Sequence, residues 1–119
     1  MPFLIGIALL LYIPYINLSG KLSVCIVDFL VEYKDGSLAL VEVKPKFKLE
    51  YKDQLLKIYV SFHWAQLNNI PYHLITEDDL YKSVTTKFSE VIQKATIVAD
   101  EVQQRYSLNP LVIAGEKQK

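Results

Sequence analysis

The sequence predicts an α/β domain in which helices flank a mixed sheet, built from a three-stranded antiparallel meander and one parallel strand. Two apolar runs rich in β-branched residues meet at Lys34–Ser37, which contains the Asp-Gly pair typical of a tight hairpin turn. A segment of helical periodicity and then a short apolar run follow the hairpin. Because a strand, a helix and a strand follow one another, the last strand is expected to pair in parallel through a crossover.

The composition is that of a folded protein without a disulfide framework. The chain has 119 residues, of which 51% are hydrophobic and 22% charged, which predicts a single domain over residues 1–119 and argues against disorder. The formal net charge of zero argues against a protein that coats nucleic acid, although it permits a local basic face. The single Cys25 suits a reducing compartment, so a cytoplasmic location is expected, and a zinc site is not indicated.

Residues 1–14 form an apolar N-terminal segment that has two interpretations. It could be a signal sequence or membrane anchor, or a buried helix or strand that leads into a strand near Tyr15–Leu18. The segment lacks a basic start and a small-residue cleavage site, and Pro14 interrupts it before the ~20 apolar residues that a spanning helix needs. The buried interpretation is therefore favoured, and no membrane association is expected.

The predicted hairpin gathers charged side chains at one end of the sheet. Its first strand is expected to run from Leu22 to Tyr33, with Asp28 near its beginning, and a type I′ turn at Asp35-Gly36 would reverse the chain. Strand alternation then places Glu42 and Lys44 on one face of the second strand. Two carboxylates and an ammonium group would therefore lie close together.

The rest of the chain supplies the layers around this hairpin. We expect a helix over Glu50–Leu67, a parallel strand over Tyr72–Thr76 and a long helix over Thr85–Tyr106, with a loose polar tail at 115–119. Three consecutive acids follow Thr76, and they are interpreted as a helix start capped by the threonine. The alternative interpretation of these acids is a metal site.

A cluster of two carboxylates and a lysine is costly to bury without a partner, and a divalent cation is the natural one. Oxygen ligands suit Mg²⁺, with Mn²⁺ as a substitute, and a neighbouring lysine can orient water or stabilise charge on a phosphate. The competing interpretation is that Lys44 only pairs with Glu42 or Asp28 on a solvated sheet face.

The spacing of these residues resembles a known nuclease pattern. Asp28 is followed, after 13 intervening residues, by Glu42-x-Lys44 on a hairpin, as in the PD-(D/E)xK nuclease superfamily. The stretch Asp28–Gly36, the Val-Glu-Val-Lys-Pro run that ends at Pro45, and His73–Leu80 are similar to the catalytic domain of TnsA-type transposon endonucleases. The resemblance covers roughly residues 15–83.

The resemblance implies a restriction-endonuclease-like core and metal-dependent hydrolysis of DNA phosphodiesters. Asp28, Glu42 and the Val43 carbonyl would bind the metal, and Lys44 would be the catalytic lysine. The superfamily often has another glutamate before the meander, whereas no acidic residue precedes Asp28 here. A catalytically weak or inactive module that binds DNA or a protein partner is therefore the alternative.

The resemblance also implies partners. Double-stranded DNA would contact a basic rim made of Lys21, Lys46, Lys48 and Lys52, each of which could instead be an ordinary solvated lysine. A homodimer would suit two cuts in a duplex, and a transposase or other mobile-element protein is a further expected partner. TnsA-type proteins carry a second, winged-helix domain, and this chain is expected to be a minimal relative without it, from a mobile element or a virus.

Overall fold

The computed structural model describes residues 4–8, 11–81 and 88–112. Its elements are, in chain order, β1 (Leu4–Ala8), β2 (Leu11–Ile16), β3 (Leu22–Val27), β4 (Phe29–Tyr33), β5 (Leu38–Val43), a 3₁₀ turn (Lys46–Glu50), α1 (Lys52–Leu67), β6 (Tyr72–Ile75), α2 (Glu77–Tyr81) and α3 (Phe88–Tyr106). One sheet has the strand order β1-β4-β5-β6, and β2 and β3 form a second sheet. This mixed α/β arrangement confirms the predicted fold class and is consistent with a restriction-endonuclease-like core.

The first four strands form one long antiparallel ribbon that is divided between the two sheets. β1 pairs with β4 and β2 pairs with β3, so that Ala8 lies opposite Leu30 and Leu11 lies opposite Val27. The turn at the end of the ribbon is closed by the Asn17 side chain, whose Oδ1 accepts hydrogen bonds from two backbone N–H groups. Where the structure describes it, the apolar N-terminal segment therefore forms β1 and the first part of β2.

The run Leu22–Tyr33 is two strands rather than the single long strand that was predicted. Cys25 and Val27 of β3 are buried in the main core, and in β4 it is Leu30 that packs against this core. Inward-facing side chains at positions 25, 27 and 30 do not fit the period of two that a straight strand requires. The chain therefore bends at Asp28, between β3 and β4.

The β4–β5 hairpin is confirmed, but its turn differs from the expected type. The φ angle is positive at Gly36 (+87°), whereas Asp35 is not among the described residues with positive φ, as a type I′ turn would require. Tyr33 and Ser37 close a longer loop through a backbone hydrogen bond of 2.9 Å. Asp35 Oδ1 accepts bonds from the backbone and the hydroxyl of Ser37, and this keeps Asp35 in its observed conformation.

The parallel strand is confirmed at the other side of β5. β6 pairs with β5 from Leu40 opposite Tyr72 to Val43 opposite Ile75. α1 connects the two strands, and it begins at Lys52 because the 3₁₀ turn occupies the residues after Pro45. The buried residues of α1 pack on α3 and on the sheets; they are Leu55, Leu56, Ile58, Val60, Ser61 and Ala65.

The helix start after β6 has the predicted cap. Thr76 Oγ1 accepts the Asp78 N–H at 3.3 Å, and Asp79 Oδ2 accepts the Thr76 N–H at 2.8 Å. These reciprocal bonds form a capping box with aspartate at its third position. α3 is described from Phe88, so the predicted start at Thr85 and the tail at 115–119 lie outside the described residues.

Within residues 4–8, 11–81 and 88–112, no helix has the length and apolar character needed to cross a membrane. The cytoplasmic location stays a prediction.

Candidate active site

Asp28, at the bend between β3 and β4, lies next to Glu42, which is on β5. Phe29 of β4 lies opposite Val41 of β5, so the same register carries Asp28 to a position opposite Glu42. The Asp28 Oδ2 atom accepts a hydrogen bond of 2.9 Å from the backbone N–H of Val43. This bond fixes the aspartate at the end of β5, directly beside the two other residues of the predicted motif.

Glu42 is the most deeply buried charged side chain of the site, with 0% of its surface exposed. Its Oε1 atom accepts a hydrogen bond of 2.7 Å from the Tyr72 hydroxyl. Its Oε2 atom is also buried, and it has no hydrogen-bond partner among the described residues. Burial raises the pKa of Glu42, while the Tyr72 bond and the nearby Lys44 charge act in the opposite direction.

Lys44 is close to this carboxylate without forming a hydrogen bond to it. The Nζ atom lies 3.8 Å from Glu42 Oε2, and the lysine side chain is 15% exposed. The backbone N–H of Lys44 donates to the Ile75 carbonyl at 2.9 Å, which holds this residue against the end of β6. The ammonium group therefore partly compensates a buried carboxylate while keeping a route to solvent.

Tyr72 and Ser61 complete the surroundings of Glu42, and the sequence did not single them out. Burial and the neighbouring carboxylate raise the pKa of Tyr72, which stays a neutral hydrogen-bond donor at neutral pH. The Ser61 hydroxyl acts to lower the pKa of Glu42, and it lies 3.5 Å from Cys25 Sγ. The signal for Ser61 was its place as a polar residue on an otherwise apolar helix face.

The donor set of this cluster fits a hard divalent cation. Asp28 and Glu42 provide carboxylate oxygens, and the buried Oε2 of Glu42 has no hydrogen-bond partner within the part of the chain that the structure describes. Mg²⁺ commonly uses one or two carboxylates and completes its coordination with water and substrate phosphate. No group of three or more His, Cys, Asp or Glu side chains at metal-binding distance occurs among the described residues.

The lysines of the predicted basic rim have different surroundings. Lys46 forms an ion pair with Asp78 at 3.0 Å, and Lys52 forms one with Glu101 at the same distance. Lys48 has no ion pair within residues 4–8, 11–81 and 88–112. Lys21 lies seven residues from Asp28, or about 23 Å along β3 at ~3.3 Å per residue, so it is not beside the carboxylates.

The comparison with protein-family models identifies the family of this chain. The model described as TnsA-like endonuclease N terminal matches residues 6–77, which include Asp28, Glu42 and Lys44. The chain belongs to this TnsA-like family. Comparisons with curated proteins and with solved structures gave no match. The TnsA-like region ends at the capped start of α2, so α3 lies outside it.

Proposed function

We propose that this TnsA-like chain is a metal-dependent DNA endonuclease that hydrolyses phosphodiester bonds. The observation that carries the proposal is the juxtaposition of Asp28, Glu42 and Lys44, in which one buried carboxylate oxygen has no hydrogen-bond partner among the described residues. A fold does not maintain such an atom for stability, because an unsatisfied buried acceptor is unfavourable. The TnsA-like family relationship gives this cluster its nuclease interpretation.

Asp28 and Glu42, together with the Val43 carbonyl, are the proposed ligands of Mg²⁺ or Mn²⁺. When bound, the ion would lower the pKa of a water molecule and stabilise charge on the phosphate. Tyr72 would hold Glu42 in a fixed orientation through its 2.7 Å hydrogen bond. Lys44 would orient the attacking water or stabilise negative charge on the phosphate, since its ammonium group lies next to the carboxylate cluster.

Double-stranded DNA is the proposed substrate. Lys48 and the exposed part of Lys46 would contact phosphates beside the cleaved bond, and Lys52 and Lys21 would contact phosphates farther away. A homodimer would allow one site to act on each strand. A transposase or other mobile-element protein is a further proposed partner, because the family is that of transposon endonucleases.

Plasmid nicking tests the proposed activity. The wild-type protein should convert supercoiled plasmid to nicked or linear DNA in Mg²⁺ or Mn²⁺ and not in EDTA. Glu42→Gln and Lys44→Met should lower the rate by about 10²-fold or more, since the first removes a charged ligand of the metal and the second removes the ammonium group that acts on the water or the phosphate. Glu32→Gln is the matched control, because Glu32 is an exposed acid on the same hairpin. A wild-type protein that does not cut, or an undiminished rate in Glu42→Gln, would reject the proposal.

A binding module without cleavage is the second candidate. It is favoured by the lack of a third acidic ligand in the described ranges and by the ion pairs that occupy Lys46 and Lys52. Such a module would bind plasmid or a partner protein with the same affinity in the presence and absence of Mg²⁺. The nicking assay and a parallel binding assay therefore separate the two candidates.

A further inference from the structure

Phe47 and Tyr51 form an exposed aromatic pair beside the candidate active site. Their side chains are 62% and 54% exposed, and their ring centroids are 6.4 Å apart in a perpendicular arrangement. Phe47 follows Lys44 by three residues, so their Cα atoms are within about 11 Å of each other. Contiguous apolar patches on a protein surface often mark interaction sites.

The segment that carries the two rings is held in place on both sides. Backbone hydrogen bonds of 3.0 and 3.1 Å connect Lys48 to Pro45 and Tyr51 to Lys48. Leu49 is 6% exposed and anchors the 3₁₀ turn in the core. Lys46 attaches the turn to α2 through its backbone N–H, which donates to Glu77. The backbone that carries the rings is therefore held in place, and it would not have to become ordered when a ligand binds.

The lysines around the aromatic pair favour one class of ligand. The stretch from Lys44 to Lys52 contains four lysines and one glutamate, in a chain whose formal net charge is zero. Three of the lysines form ion pairs with acids outside the stretch, whereas Lys48, the neighbour of Phe47, has no ion pair among the described residues. Protein–protein interface cores have few lysines, whereas a groove that binds single-stranded nucleic acid combines positive charge with aromatic stacking surfaces. The arrangement therefore fits a nucleic acid strand better than a protein partner.

We propose that Phe47 and Tyr51 together hold an unpaired base of the DNA strand, next to the phosphate that is cut. One ring stacks on the face of the base, and the other, which is perpendicular to the first, packs against the edge of the base. The position of this subsite rests on the proposed nuclease function. Bases inside a duplex are covered by their neighbours, so a ring on the protein surface stacks only on a base that is out of the helix or single-stranded. The preferred substrate is therefore DNA with a single-stranded gap or a duplex end with unpaired bases at the cut site.

Fluorescence anisotropy in EDTA tests the proposal without cleavage. The probes are a labelled duplex and the same duplex with a short single-stranded gap. The wild-type protein should bind the gapped DNA more tightly, and Phe47→Ala and Tyr51→Ala should each weaken that binding by about 5- to 100-fold. Phe47→Trp should retain it, because the ring is kept. Leu67→Ala is the matched control, since Leu67 is 58% exposed at the far end of α1.

Three results would overturn the stacking site. They are equal binding of both probes by the wild type, a lack of DNA binding, and alanine variants that bind like the wild type. A wild-type dimer that Phe47→Ala converts to a monomer in sedimentation would also overturn it, because the pair would then be an interface between copies. A protein that binds gapped DNA through Phe47 and never nicks plasmid would reject the proposed nuclease function alone. Thermal melting checks that each variant is folded.

Discussion

Glu42 is a carboxyl group in a position where an apolar residue would stabilise the fold more. It is fully buried, and only Oε1 has a hydrogen bond among the described residues. A buried acceptor without a partner is unfavourable by about 1–3 kcal/mol, and a buried ion pair is often no more stable than a packed apolar pair. Residues of this kind are concentrated at functional sites. We therefore attribute the location of Glu42 to the proposed metal site rather than to stability.

We therefore predict that Glu42→Gln stabilises the metal-free protein while it abolishes cleavage. Glutamine keeps an acceptor for the Tyr72 hydroxyl and removes the buried charge. The free energy of unfolding at neutral pH in EDTA should rise by about 1 kcal/mol, or roughly 4 °C in Tm. Urea denaturation measures it, with Glu32→Gln as the exposed control. A Glu42→Gln variant that is less stable than the wild type would contradict this interpretation.

The stabilisation of the fold by Glu42→Gln should depend on pH, and the sign of this dependence follows from the raised pKa of Glu42. The folded state binds a proton on the Glu42 carboxyl group more tightly than the unfolded state does. The wild type is therefore relatively stable below the ordinary glutamate pKa. It loses this stability as the pH rises through the folded-state pKa. The advantage of Glu42→Gln over the wild type should therefore be larger at pH 8 than at pH 4.

The sequence predicted the charged residues of the site but not the neutral ones that surround them. Asp28, Glu42 and Lys44 have a spacing and a charge that stand out in an apolar hairpin. Tyr72 and Ser61 become neighbours of Glu42 only when β6 and α1 are in place, and the sequence alone does not show that either residue faces Glu42. Contacts that depend on tertiary packing do not appear in residue spacing.

At the scale of the strands, the bend at Asp28 could not be predicted from the sequence. Nearly every residue of Leu22–Val31 is apolar, so the shift of the inward face between Val27 and Leu30 does not appear as a change in polarity. The bend places Asp28 where the chain passes from the sheet of β2 and β3 to the sheet that contains β4. A continuous strand would have kept the aspartate within a ladder, whereas the bend leaves it at the end of β5 with its side chain bonded to Val43.

The order of elements from the hairpin onwards, in contrast, was predictable because these elements carry their own local signals. The Asp-Gly pair located the hairpin, Pro45 ended β5, and Thr76 located the start of α2. The turn type was wrong, because Asp35 forms side-chain bonds to Ser37 instead of adopting the φ that a type I′ turn needs. Local side-chain bonds of this kind compete with the conformations that sequence statistics favour.

At the scale of the helix α2, we predict that Thr76→Ala destabilises the fold by about 1 kcal/mol, because it removes the cap of the helix. Thr96→Ala is the matched control, since the Thr96 hydroxyl bonds the Ile92 carbonyl within α3 and alanine suits a helix interior. Urea denaturation compares the two variants. A Thr76→Ala protein as stable as Thr96→Ala would show that the capping box contributes nothing measurable.

The candidate site is a property of the whole molecule, because its parts come from different layers. Asp28 lies where the two sheets separate, Glu42 lies on the central strand β5, and Tyr72 comes from the parallel strand β6. Ion pairs from Lys46 to Asp78 and from Lys52 to Glu101 connect the segment after β5 to α2 and α3. The helix α3, which lies beyond the TnsA-like region, thereby supports the segment that we propose contacts DNA.

The central claim is that Asp28 and Glu42 together bind a divalent metal, and calorimetric titration with Mn²⁺ tests it most directly. We expect the wild-type protein to bind one Mn²⁺ per chain. Asp28→Asn and Glu42→Gln should each weaken binding by about tenfold or more, whereas Glu32→Gln should leave it unchanged. A wild-type protein that binds no Mn²⁺, or binding that survives both site substitutions, would contradict the claim.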